Sequence, residues 1–123
     1  MEPGETVNAS LLKFVLLGLP LLLTGCQNPN TYYWGHYENL VYVMYVKPDK
    51  VPLPLQVQTL EEDLHKAEAA HKPVPPGFHA HLGYLYYQTG KPELARQEFE
   101  DEKARFPESA VLMDRLLANV TKK

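Results

Sequence analysis

Apolar and polar positions change rhythm several times along this chain. From Phe14 to Leu23 nearly every residue is apolar, interrupted only by Gly18 and Pro20. A polar stretch follows, and then Thr31 to Val46, which holds the single tryptophan and five of the eight tyrosines. Tyr37, Val41, Met44 and Tyr45 share a helical face there, although the valine and tyrosine content also suits a strand. No second strand follows to pair with it, so the pattern predicts a short helix from about Tyr37 to Val46, closed by Lys47-Pro48. Val51-Pro-Leu-Pro54 predicts a stiff connector and no helix before Leu55. Beyond it, Val57, Leu60, Leu64 and Ala67 recur at three- and four-residue spacing, predicting an amphipathic helix that ends at His71-Lys72-Pro73. Val74-Pro75-Pro76-Gly77 should begin a helix running to about Thr89, with Gly90 as the turn. Pro92 should open a further helix ending near Phe106, and Pro107 a last one with Val111, Leu112, Leu116 and Leu117 facing inward.

Within this body, Leu82-Gly83, Tyr86, Ala95, Phe99 and Pro107 stand at the spacing of a tetratricopeptide repeat, TPR. Two antiparallel helices can touch closely only where small side chains sit at the contact. Gly83 and Ala95 supply these, with Tyr86 and Phe99 filling the space beside them. The helix 55–71 resembles the second helix of a preceding repeat, and the last helix resembles a cap. The expected fold is therefore all-α: a short TPR-like hairpin stack with a C-terminal capping helix. Two positions depart from the repeat pattern. His79 stands where tryptophan is usual, and Glu102 where a small residue is common; Glu102 should loosen the helix crossing or point to solvent. In TPR folds the first helix of each pair lines the concave face, so Tyr84, Tyr87 and His81 become candidate partner-binding residues.

The apolar run 14–23 has the length of a signal-peptide core, too short for a span of roughly 20 residues. It ends Leu23-Thr24-Gly25-Cys26, which resembles the lipobox of bacterial lipoproteins. That implies cleavage before Cys26, with a diacylglyceryl group on its sulfur and an acyl chain on its amine, and more than the two signals needed for stable anchoring. Gln27 rather than Asp after the cysteine implies the outer membrane, with the protein on its periplasmic side. Glu2 and Glu5 outnumber Lys13 before the apolar run, against the usual positive start of an export signal. A translation start near Val7 or Leu12 would set Lys13 beside the new terminus. The chain thus divides into a signal peptide (1–25), an aromatic-rich tether with a short helix (26–50) and a TPR-like helical domain (51–123).

Charge and chemistry narrow the function by exclusion. Net charge is −3 and the isoelectric point about 5.9, so no basic field offers itself to nucleic acid. A single cysteine rules out an internal disulfide. The five histidines lack metal-ligand spacing, with no H-E-x-x-H. Glu98, Glu100, Asp101 and Glu102 read as a solvated face rather than an acidic functional cluster. No Gly-rich phosphate loop or nucleophile elbow occurs, so neither enzyme activity nor a cofactor or metal is expected. Tyr32, Tyr33 and Trp34 admit two readings: packing on the helical body, or an exposed recognition patch near the anchor.

Several runs together, namely Tyr-Tyr-Trp-Gly-x-Tyr-Glu at 32–38, Leu-Glu-x-Asp at 60–63, Lys-Pro-Val-Pro-Pro-Gly at 72–77, His-Ala-His-Leu-Gly-Tyr-Leu-Tyr at 79–86, Phe-Pro-Glu-Ser at 106–109 and Met-Asp-Arg-Leu-Leu at 113–117, resemble one family. It is a family of small bacterial TPR-like lipoproteins of unknown function. Its members are similar in being encoded beside a lipoprotein like the curli secretion channel and beside another small outer-membrane lipoprotein. The resemblance implies an accessory of an envelope assembly and carries over no catalytic residues. The rival expectation is a structural envelope lipoprotein that touches the cell wall and has no specific protein groove.

Overall fold

The computed structural model describes residues 31–121. The expected signal peptide (1–25), its apolar core and the lipidation residue Cys26 lie outside the described residues. Five α-helices succeed one another: α1 (Tyr37–Val46), α2 (Leu53–Ala69), α3 (Phe78–Gln88), α4 (Pro92–Arg105) and α5 (Ala110–Thr121), with a 3-10 turn at Pro107–Ser109. The described residues are all-α and contain no strand. No helix among them is long and apolar enough to cross a membrane.

Helix starts differ from expectation where prolines are concerned. α2 already begins at Leu53, with Pro54 inside its first turn. Proline costs nothing there, because the first N–H groups of a helix have no partner to lose. α3 begins only at Phe78, after both prolines, and its N-cap is Gly77 at φ +89°. A Cβ on Gly77 would lie 2.5 Å from the Tyr37 hydroxyl, so the turn requires glycine for conformation and for space. α2 ends at Ala69 and is followed by His71 in the left-handed region at φ +52°.

Leu60, Phe78, Leu82, Leu85 and Ala95 are fully buried and form the centre of the core, with Phe99 and Met113 against them. Each large side chain so buried contributes about 1.5–3 kcal/mol. α3 and α4 are in close contact at Gly83, where a Cβ would lie 2.7 Å from Phe99 Cε1 and 3.1 Å from the Ala95 carbonyl. Leu82 and Tyr86 flank that contact and are buried, whereas Pro107 is exposed and opens the 3-10 turn.

α5 is rotated from its expected orientation. Val111 and Leu112 are 67% and 55% exposed, while Met113 and Val120 are buried and Leu116 and Leu117 half-buried. Met113, Leu116, Leu117 and Val120 stand at i, i+3, i+4 and i+7 and form one continuous apolar face, which is the face that packs on the core. Glu102 is the second correction: it is 2% exposed and points inward. Its carboxylate accepts the backbone N–H of Gly77 at 2.6 Å and of Ala80 at 3.3 Å, capping α3, whose own N-cap has no side chain to offer. The carboxylate ties the helix crossing together where it was expected to loosen it.

Candidate interaction site

Between α1, α3 and α5 lies a groove of about 470 Å³ lined by Met44, Tyr45, Ala80, His81, Tyr84, Leu112 and Leu116. No lining residue is a lysine, arginine, aspartate or glutamate. α3 supplies the floor because Ala80, His81 and Tyr84 repeat at one- and three-residue steps along one side of it. Tyr84 is 39% exposed, and its hydroxyl accepts a hydrogen bond from Gln88 Nε2 at 2.9 Å. His81 is 8% exposed, and burial pushes its imidazole below the ordinary histidine range, which keeps it neutral. Its ring meets the edge of Tyr37, centroid to centroid 6.0 Å.

Tyr87 lies elsewhere. It lines a second hollow of about 270 Å³ with Gly90, Pro92, Glu93, Arg96, Val120 and Thr121. The two hollows succeed each other along the seam between α3 and α5, the first beside Leu112 and Leu116, the second beside Val120. The two helices therefore run in the same direction. The structure brings together His81 and Tyr84 of the expected set and separates Tyr87 from them by hollow and by chemistry, since the second is rimmed with charge.

The aromatic segment is packed. Tyr32 meets Phe106 at 6.5 Å and Trp34 at 6.3 Å, Trp34 stacks on Tyr37 at 6.4 Å, and Tyr37 reaches Phe78 at 5.6 Å. Tyr33 is half-buried and its N–H donates to the Pro73 carbonyl at 2.8 Å. Trp34 keeps 39% exposure, but none of the three lines the groove. They form a ladder that lays the start of α1 on the body. Burial is also the main cause that raises the Tyr37 hydroxyl above the usual phenol range, with the Glu102 carboxylate adding to it.

A buried carboxylate secures the same segment. Asp63 is fully buried on α2, and its Oδ2 accepts the His36 backbone N–H at 2.6 Å. His36 Nδ1 lies 3.1 Å from both carboxylate oxygens. Gly35, at φ +48°, passes so near Asp63 that any Cβ would collide with the carboxylate. Asp63 thus acts at the N-terminal end of α1 as Glu102 does at that of α3: a distant carboxylate takes backbone donors that no neighbouring side chain satisfies, at the positive end of the helix dipole. The capping roles of both residues escaped the sequence reasoning. The one available signal was their pairing with Gly35 and Gly77, two glycines placed just before helices.

The structure also groups His79, Glu98 and Asp101, with one possible ligand atom from each within 4.8 Å of the others. His79 Nδ1 lies 2.7 Å from Glu98 Oε2, and its Nε2 is buried without a partner. This contact joins α3 to α4 as a latch. Tyr86 forms another, its hydroxyl donating to Glu61 Oε1 of α2 at 2.6 Å. Burial is the main cause that pushes this hydroxyl well above the usual phenol range, followed by the Glu61 hydrogen bond. Ser109, the one serine in the described residues, has a buried hydroxyl that makes no hydrogen bond.

No curated protein and no solved structure matches the chain. A family model does match, over residues 31–116, from the aromatic ladder through most of α5. The chain belongs to the family described as Domain of unknown function (DUF4810).

Proposed function

We propose that this chain is a lipid-anchored, periplasmic protein-interaction module, an accessory of an outer-membrane lipoprotein assembly that includes a secretion-channel-like neighbour. The observation that carries the reading is the uncharged groove of about 470 Å³ on the face shared by α1, α3 and α5. Aromatic and methionine side chains with no charge at the centre are what protein interfaces favour. α3 and α5 are the two helices that would line the concave face of a TPR-like stack, and Tyr84, His81 and Leu112 lie on them. Cys26 would hold the module at the outer membrane through diacylglyceryl and N-acyl groups. Anchoring raises the local concentration of any neighbour, so a groove this small suffices without tight affinity. On this reading the module uses no cofactor, metal or nucleic acid and performs no catalysis.

The test separates the two expected tyrosines. Full-length tagged chain is crosslinked in intact cells and its co-isolated proteins are quantified. Tyr84→Ala should lower co-isolation about tenfold, whereas Tyr87→Ala, which alters the second hollow, should leave it within about twofold. Equal loss from both, or from neither, with helical content preserved, would argue against the groove.

A further inference from the structure

We propose that the groove takes Tyr45 of a second copy of this chain, two copies pairing across a two-fold axis with each tyrosine seated in the other's groove. This rests on the reading of the groove as a docking site and names its occupant. Tyr45 is 77% exposed, the most exposed large hydrophobic side chain among the described residues, and it stands at the groove's own edge. A projecting knob and a hollow side by side on one patch are what a two-fold contact needs, because the same surface must serve as both halves.

Charge points the same way. Without residues 1–25, whose Glu2, Glu5 and Lys13 sum to −1, the chain's net −3 becomes −2, so two copies still repel unless they meet where charge is absent. Near a two-fold axis any charged group would face its own image. The groove has no acidic or basic lining residue, and its one titratable imidazole, His81, is held neutral by burial.

The composition of α1 supports a cover on its outer side. Eight of its ten residues, Tyr-Glu-Asn-Leu-Val-Tyr-Val-Met-Tyr-Val, are apolar or aromatic, yet only Leu40 is buried. A helix apolar nearly all round is normally enclosed. Here Tyr42, Tyr45 and Val46 face outward at 58%, 77% and 52% exposure. Across the groove, α5 turns Leu112 outward at 55%. Pairing would cover both helices at once, with a tyrosine ring entering a hollow floored by Ala80, His81 and Tyr84.

The experiment uses the full chain purified in mild detergent, mixing an unlabelled form carrying Tyr45→p-benzoylphenylalanine with a nitrogen-15-labelled unsubstituted form. Irradiation should give an adduct of twice the chain mass that contains both isotopes. Its crosslink should map to the segment 80–84 or 112–116 of the labelled copy. Adding Tyr84→Ala and Leu112→Ser to the labelled form should cut this adduct about tenfold while helical content stays the same. Crosslinks confined to one chain, crosslinks to detergent or lipid, intermolecular adducts outside those segments, or no adduct would each overturn the pairing. The same substituted chain irradiated in native membranes separates the two readings. An adduct between position 45 and a different protein keeps the groove as a docking site and overturns the second copy as occupant; absence of any protein adduct overturns both.

Discussion

Asp63 and Glu102 show how much two buried carboxylates determine. Each lies at most 2% exposed, and each accepts backbone donors at the start of a helix distant in sequence. Their partners are backbone groups, so the side chains that surround them in sequence carry no trace of the contact. That is why Glu102 looks like a flaw in a repeat pattern and why Asp63, one of three consecutive acidic residues at 61–63, does not stand out in the sequence. Replacing Glu102 by Ala leaves the N–H groups of Gly77 and Ala80 unsatisfied, at a cost of about 2–3 kcal/mol. Urea denaturation at neutral pH measures it, and a loss under about half a kcal/mol would mean that water caps α3 instead. Gly35→Ala should cost at least as much, since the new methyl would meet the Asp63 carboxylate and the backbone would remain at positive φ.

Tyr86 gives a pH prediction of definite sign. Its folded-state hydroxyl titrates above the unfolded value, so the native state keeps a proton that the unfolded state loses first. Stability is then fully present below about pH 10 and falls as pH rises beyond it. Tyr86→Phe should flatten this alkaline decline while lowering neutral-pH stability by about 1–2 kcal/mol through loss of the bond to Glu61. His81 acts at the other end. Its folded value is depressed, so its contribution is present above about pH 6.5 and lost as pH falls below, when the unfolded chain takes up the proton more readily. Thermal denaturation between about pH 5 and pH 7 should therefore show a slope that His81→Phe reduces; an unchanged slope would place the acid sensitivity elsewhere.

At the scale of elements, periodicity located every helix among the described residues and misjudged the starts of two and the rotation of one. α1 matches the expected range because Lys47-Pro48 leaves no other stop. α2 starts two residues before the expected Leu55, because the first turn of a helix tolerates proline. For α5 the inward set Val111, Leu112, Leu116 and Leu117 fits half a helix face. The observed set of Met113, Leu116, Leu117 and Val120 is the better i, i+3, i+4, i+7 pattern. Apolar residues outside that face, Val111 and Leu112 among them, stand beside the ones within it in sequence, so the inward side is decided by packing on the core. The consequence is functional, for it leaves Leu112 at the groove instead of in the core. Where α3 and α4 touch, the small-residue spacing was legible from the outset. Gly83→Ala should destabilise by about 1–3 kcal/mol, because Phe99 and the Ala95 carbonyl already occupy the space. Calorimetry would show it as a lowered Tm, and an unchanged Tm would mean that the two helices can part without cost.

At the scale of the molecule, the five helices among the described residues are held at three levels: a shared apolar centre, polar latches between neighbours, and an aromatic ladder that brings α1 onto the rest. The fold class was legible because helical periodicity and proline punctuation repeat along the chain. The groove was half legible. Tyr84 and His81 follow from which helix faces the concave side, but α1's share, Met44 and Tyr45, depends on the Asp63 clamp and on Gly77, neither of which periodicity reveals. The exposure of Tyr32, Tyr33 and Trp34 could not be read at all, because their neighbours, Phe106 and Pro73, are brought to them only by the tertiary fold. α1 thereby becomes one wall of the groove, and loosening it should undo the binding face without unfolding the body. Asp63→Ala should expose the segment 37–46 to limited proteolysis while α3 and α4 remain protected.

The central claim is that the face shared by α1, α3 and α5 is where this module is engaged. Amide hydrogen exchange of the full-length chain tests it most directly, compared between native membranes and dilute detergent solution. Engagement predicts slower exchange in the membranes for the segments 42–46, 80–84 and 112–116, with Tyr87 to Gly90 and α4 unchanged. Equal exchange in both settings, or protection appearing instead around Tyr87, Arg96 and Val120, would contradict it.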